Sequence, residues 1–222
     1  MLRFKSVILV RHSEAEKTIR QVHGGMGTPL TARGRIDTQK LAEQLEKAGL
    51  VDPATIIFSS PRPQAIETAQ ILAAQLARVC KVEDRFRNIN MGVFDGLTDD
   101  EARLADPAAM KRLEDWRSGR LSIGELKIPD SESITEFVAR INNALTDIQE
   151  VCQTPVVVMT RSVGIAIVNV LQGYLNGKIP DYPRRRFDPG SITQIISGSS
   201  GMTVIIDNDT AYLGPQRIFR DD

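Results

Sequence analysis

The chain has 222 residues, with 28 Lys and Arg against 28 Asp and Glu, so its formal net charge is zero. That balance argues against a dedicated binder of nucleic acid or anionic membrane, which carries a basic excess. Charged residues make up 25% and the hydrophobic set 41%, which excludes the disordered and fibrous classes. The two cysteines, Cys80 and Cys152, lack metal-type spacing, and each stands where an apolar helical residue would serve. Both are expected to be buried thiols rather than members of a secreted disulfide framework.

The first predicted element is the apolar run Val7 to Val10, a strand buried on both faces. The run stops at Arg11, too short for a signal-peptide core or a membrane span, and no other uncharged stretch reaches membrane length. A cytoplasmic location is expected, with no membrane or nucleic-acid partner. From Thr31, Ile36, Leu41, Leu45 and Ala48 mark one helical face, and Gly49 supplies the stop. Thr55 to Phe58 reads as a second buried strand. Ile66, Ala69, Leu72, Leu76 and Val79 then step by three or four as a second amphipathic helix.

Residues 84–130 are less regular and rich in Gly and Pro, with one helix expected around Asp99 to Arg117. This stretch reads as an insertion that covers a site. Ser133 and Glu136 form a capping box opening a long helix faced by Ile134, Phe137, Ile141, Leu145, Ile148 and Cys152. Pro155 to Met159 is a third buried strand, followed by a helix from Val163 to about Leu175. Two late strands, Ile192 to Ile196 and Thr203 to Ile206, flank a Ser/Gly turn. Strands alternating with helices predict an α/β fold with a mostly parallel central sheet and helices on both faces, as one domain over 1–222.

Ligands of such sheets bind at the carboxyl ends of the strands. Those ends read Arg11-His12-Ser13-Glu14, then Ser59-Ser60-Pro61-Arg62-Pro63-Gln64, then Thr160-Arg161-Ser162. Arginines, a histidine, hydroxyls and helix N-termini make an anion-binding set. Arg184-Arg185-Arg186 reads either as a steering patch or as a solvated charge run. The segment around His23, rich in glycine, is expected to be a mobile loop beside the site, and Trp116 a packing residue. Gly24-Gly25-Met26-Gly27 lacks the spacing and the preceding strand of a dinucleotide fingerprint.

Leu9-Val10-Arg11-His12-Ser13-Glu14 and Pro29-Leu30-Thr31-Ala32-Arg33-Gly34, taken in order, resemble the histidine phosphatase (phosphoglycerate mutase-like) superfamily. Ser59-Ser60-Pro61 with Glu67-Thr68-Ala69, Gly92-Val93-Phe94-Asp95-Gly96-Leu97-Thr98, and Asn208-Asp209-Thr210-Ala211-Tyr212-Leu213 extend the likeness over nearly the whole chain. The resemblance implies a three-layer α/β/α domain handling phosphate esters without a metal or other cofactor. It implies that His12 attacks phosphorus and that Arg11 holds the phosphoryl oxygens.

Four departures stand against that pattern. Ser13 replaces a glycine, Gln64 an arginine, Asn88 the acid and Arg161 the second histidine. Arg62 lies two positions from the missing arginine, and Asp95 and Glu14 are carboxylates close enough in sequence to be considered as a substitute acid. The expected anion-binding set is therefore Arg11, Ser13, Arg62, Gln64, Asn88, Arg161 and Ser162, with Arg11 and His12 in the catalytic role. Two functions fit this set: weak or altered phosphoryl chemistry through His12 on a phosphorylated or anionic metabolite, or a catalytically inactive anion-binding or regulatory protein.

Overall fold

Strand β1, Ser6–Arg11, lies inside a six-stranded sheet of order β3-β2-β4-β1-β5-β6 in the structure, a computed structural model. The described residues are 2–20, 22–174, 185–199 and 201–214. Strands β1, β2 (Ile56–Ser59), β3 (Val79–Val82) and β4 (Val156–Met159) run parallel. The hairpin of β5 (Ile192–Gly198) and β6 (Gly201–Asp209) is antiparallel and joins through the β1–β5 pairing.

The alternation of side chains along β1 divides the core in two. Val7 and Leu9 point into one apolar layer together with Val157 and Met159 of β4. Against that face pack α6 (Ile134–Val151) and α7 (Arg161–Leu171). Ile8 and Val10 point the other way, with Ile57, Val156 and Val158, onto α2 (Ala32–Lys47) and α3 (Pro63–Leu76). Each fully buried Ile, Leu or Phe stabilises the fold by roughly 1.5–3 kcal/mol. The expected three-layer arrangement is therefore the observed one.

Local expectations fared unevenly. The capping box of Ser133 and Glu136 is present, with both reciprocal hydrogen bonds made. On α2 the buried face is Asp37, Thr38, Leu41, Ala42 and Leu45, while Ile36 is 51% exposed and Ala48 lies on the surface. The α3 face ends at Leu76, because Ala77 adopts the left-handed conformation (φ 51°) and closes the helix. Val79 belongs instead to edge strand β3 and is 59% exposed. Cys80, on that strand, is half-buried rather than helical, whereas Cys152 caps α6 and is buried.

The helix expected over Asp99 to Arg117 is two. α4 (Asp99–Ala105) and α5 (Pro107–Arg117) meet at Asp106, whose carboxylate caps α5 by accepting from Ala109 N–H. Pro107 at the first helical position cannot continue the preceding helix. These helices build a separate apolar cluster of Phe94, Ala102, Ala109, Met110, Leu113 and Ile128. A short helix, α1 (Glu16–Arg20), follows β1. The end of α7 precedes Leu175, which lies outside the described residues.

Candidate active site

Because β4 lies between β1 and β2, the carboxyl ends of these three strands are neighbours. The backbone N–H of His12 donates to Met159 O of β4 at 3.0 Å, and Ser60 N–H donates to Val158 O at 2.8 Å. Main-chain bonds thus carry the three predicted loops to one place. Beside them opens a cleft of about 500 Å³. Arg11, His12, Gln64, Asn88, Thr160, Arg161 and Ser162 line it, together with Lys17, Thr18, Arg20, His23, Asp99 and Arg117.

His12 is 4% exposed, and its Nδ1 lies 2.9 Å from the carbonyl oxygen of Ser13. A carbonyl only accepts, so Nδ1 carries the proton and Nε2 keeps its lone pair. Burial and then the Arg11 guanidinium push the imidazole down to about 3, so it is neutral across the physiological range. Arg11 is itself buried, with Nη1 donating to Phe187 O.

Asn88 stands opposite on a loop tied down by α6. Arg140 Nη2 donates to Asn88 O at 3.0 Å, and Nη1 donates to Arg85 O and to Arg87 O. Glu132 holds the same guanidinium at 2.7 and 2.8 Å, both side chains being about nine-tenths buried. The Thr160 hydroxyl donates to Asn88 Oδ1. On the next residue, Arg161 Nε donates to Arg185 O at 3.4 Å.

The far wall comes from the segment after α1 and from α4 and α5. His23 Nε2 lies 2.6 Å from Asp99 Oδ1, and Arg117 bridges both oxygens of Asp99 at 2.7 and 3.2 Å. Burial and the Arg117 charge lower the His23 imidazole, against the pull of Asp99. Backbone bonds of His23 N–H to Leu97 O and of Gly96 N–H to His23 O, each 2.8 Å, pin the segment expected to be a loose loop. Trp116 lines the same wall while packing on the α4–α5 cluster, as a packing residue would.

Two members of the expected set are placed elsewhere. Ser13 is fully buried, its Oγ accepting from Thr38 at 2.8 Å and its N–H donating to Thr68 Oγ1 at 3.3 Å. It anchors the loop to α2 and α3 and does not line the cleft. Arg62 caps α3 and is also absent from the lining, its Nε buried without a hydrogen-bond partner. Of the two carboxylates considered, Glu14 accepts from Thr31 Oγ1 at 2.7 Å, and neither it nor Asp95 lines the cleft. Arg186 is exposed and paired with Asp188, whereas Arg185, its side chain only 14% exposed, pairs with Asp207 and is not part of a solvated run, and Arg184 lies outside the described residues.

Sequence reasoning missed Lys17, Asp99 and Arg117. No local pattern marks them, since their approach depends on helices far apart in the chain. Among the described residues no cluster of three or more His, Cys, Asp or Glu is placed to hold a metal ion, and no helix is long and apolar enough to cross a membrane.

Fold and cleft together define a three-layer α/β protein with a mostly cationic pocket at its strand ends. The model of the histidine phosphatase superfamily (branch 1) matches residues 7–210, and the chain belongs to that family. A probable phosphoglycerate mutase, GpmB of Enterobacter sp. (strain 638), is 31% identical over 189 residues, spanning 81% of this chain and 78% of that one. Among solved structures, YhfR of Bacillus stearothermophilus superposes with a TM-score of 0.78 at 22% identity, covering 94% of this chain and 98% of that one. A mycobacterial glucosyl-3-phosphoglycerate phosphatase, in complex with VO3, gives 0.72 at 23% identity, covering 93% and 100%.

Proposed function

We propose that this protein binds a phosphorylated or otherwise anionic small metabolite in the cleft and carries out weak or altered phosphoryl chemistry through His12. The observation that carries this reading is the state of His12, a neutral imidazole with Nδ1 held by Ser13 O and a guanidinium on the adjacent residue. Nε2 forms a bond to phosphorus while the ester P–O bond breaks, and Arg11 and Arg161 offset charge on the equatorial oxygens. Water then attacks the phosphohistidine and releases phosphate. A relative named as a probable phosphoglycerate mutase and a structural neighbour named as a glucosyl-3-phosphoglycerate phosphatase support the substrate class.

The leaving alkoxide is where this site differs. Asn88 presents an amide that donates a hydrogen bond but no proton, and Gln64 offers no charge to a phosphoryl oxygen. Loss of general-acid help slows such a step by about 10²–10⁴-fold. These two residues favour the second reading, an anion-binding or regulatory protein without turnover. We further propose that the 84–130 segment, whose Met91, Thr98, Asp99 and Trp116 line the cleft, covers the bound ligand and selects it.

Phosphate release from a panel of phosphomonoesters, wild type against His12→Ala at several pH values, separates the readings. Turnover that disappears in His12→Ala establishes a phosphohistidine enzyme. No release above background from either protein leaves only the binding role.

A further inference from the structure

We propose that Lys17 is a further binding residue of this cleft, its ammonium supplying the cation that Gln64 lacks, so that an anion and a proton bind there together. The inference rests on the reading of the cleft as an anion pocket. Lys17 sits on α1, its N–H donating to Thr28 Oγ1 at 2.9 Å, and it lines the cleft with His12 and Gln64. Its Nζ is buried and has no hydrogen-bond partner among the described residues. Gln64, 2% exposed, lines the same cleft at the position where the resemblance to the superfamily places a second arginine, its buried Oε1 also without a donor.

An ammonium buried without a partner is costly to keep charged, and a ligand oxygen relieves that cost directly. The charged groups acting on Lys17 most strongly are Arg62 at the start of α3 and Asp95. The cleft it lines also holds Arg11, Arg20, Asp99, Asp100, Arg117 and Arg161, with the imidazoles of His12 and His23 as further titratable groups. The carboxylates near it are Asp95, and Asp99 and Asp100 of the cleft wall, and among the described residues no ion pair joins any of them to Lys17. Burial and then Arg62 push the ammonium down to about 8, with Asp95 opposing. A dianion in the cleft reverses this shift. Between that value and the ordinary lysine range the complex then holds a proton that the free protein does not. Binding takes up that proton, and affinity falls as pH rises through this window.

Isothermal titration with sulfate, which stays a dianion throughout, tests this on the full chain. Titrations at about pH 7 and about pH 9, in buffers of different ionisation enthalpy, read both affinity and proton uptake. Wild type is expected to take up a proton at the higher pH and to bind more weakly there. Lys17→Met should bind about 10- to 100-fold more weakly at the lower pH, with no uptake. Lys17→Arg, charged at both pH values, should keep its affinity and show no uptake, which separates the role of the charge from any fault in folding.

Equal affinity in Lys17→Met, or uptake that persists in Lys17→Arg, overturns the proposal. If sulfate binding survives Lys17→Met but is lost in Arg11→Met, the anion pocket stands and only the role of Lys17 falls. No sulfate binding by the wild type overturns both.

Discussion

The hydroxyl of Thr160 donates to Oδ1 of Asn88, which leaves the amide nitrogen of Asn88 as the group free to serve the cleft. Thr160 follows β4 as the N-cap residue of α7, directly before Arg161, so one strand-to-helix junction both supplies a cation and orients the residue at the acid's position. Asn88 is therefore a fixed hydrogen-bond donor. It suits a ligand oxygen that carries negative charge and does not suit an alkoxide that needs a proton.

Restoring the superfamily's residues tests how much chemistry the departures removed. The triple variant Asn88→Glu, Gln64→Arg, Arg161→His should raise phosphate release by about 10²–10⁴-fold over wild type, the usual range for general-acid help. An unchanged rate in a steady-state phosphate assay would show that another group already supplies the proton.

Acid stability should report His12. Its imidazole titrates near 6.5 when unfolded and at about 3 when folded, so the unfolded chain binds more protons between these values. The contribution is complete above the unfolded value and is lost as pH falls through that window, by up to about 1.4 kcal/mol per pH unit. Urea titrations at stepped pH should show this slope, and His12→Asn should flatten it. A slope unaffected by the substitution would place the acid sensitivity elsewhere.

The Arg140–Glu132 pair carries the loop that holds Asn88. Arg140→Met leaves the buried Glu132 carboxylate with only the longer approaches of Arg87 and Asn90 N–H, and releases the carbonyls of Arg85, Arg87 and Asn88, a loss of up to about 3–5 kcal/mol. Chemical denaturation measures it. Adding Glu132→Leu should recover part of the loss, since the charge then left without its partner, Arg87, is 52% exposed and stays hydrated.

Gly34 is helical, yet alanine there is expected to harm the protein. A Cβ at this position would stand 2.1 Å from Glu14 O, backbone that connects directly to His12 and Ser13. Overpacking of about 1–3 kcal/mol outweighs the roughly 1 kcal/mol that alanine gains in helix propensity. A lower urea midpoint for Gly34→Ala checks the sign.

The buried strands were legible because β1, β2 and β4 are apolar on both faces, a pattern that needs no partner to be read. The long helix α6 was legible through its capping box and its spacing. Strand β3 was not, since its valines are exposed at the sheet edge and fall in phase with the α3 stripe. Ala77 turned that helix off without the glycine that usually marks such a stop. At the site, the residues following strands could be named in advance: Arg11, His12, Gln64, Arg161 and Ser162 meet in the cleft, and Asn88 joins them. Ser13 and Arg62 share those loops but do not line the cleft. His23 and Asp99 meet across 76 residues of chain, and no local rule predicts such a meeting.

The apolar layers draw on alternate residues within the strands, while one wall of the cleft draws on the residues at and just past their ends. Chemistry and architecture are thus written in different letters of the same segments. A lineage with this sheet can drift from catalyst to receptor, and back, by exchanging single residues at the rim. Such a history would leave no scar in the core.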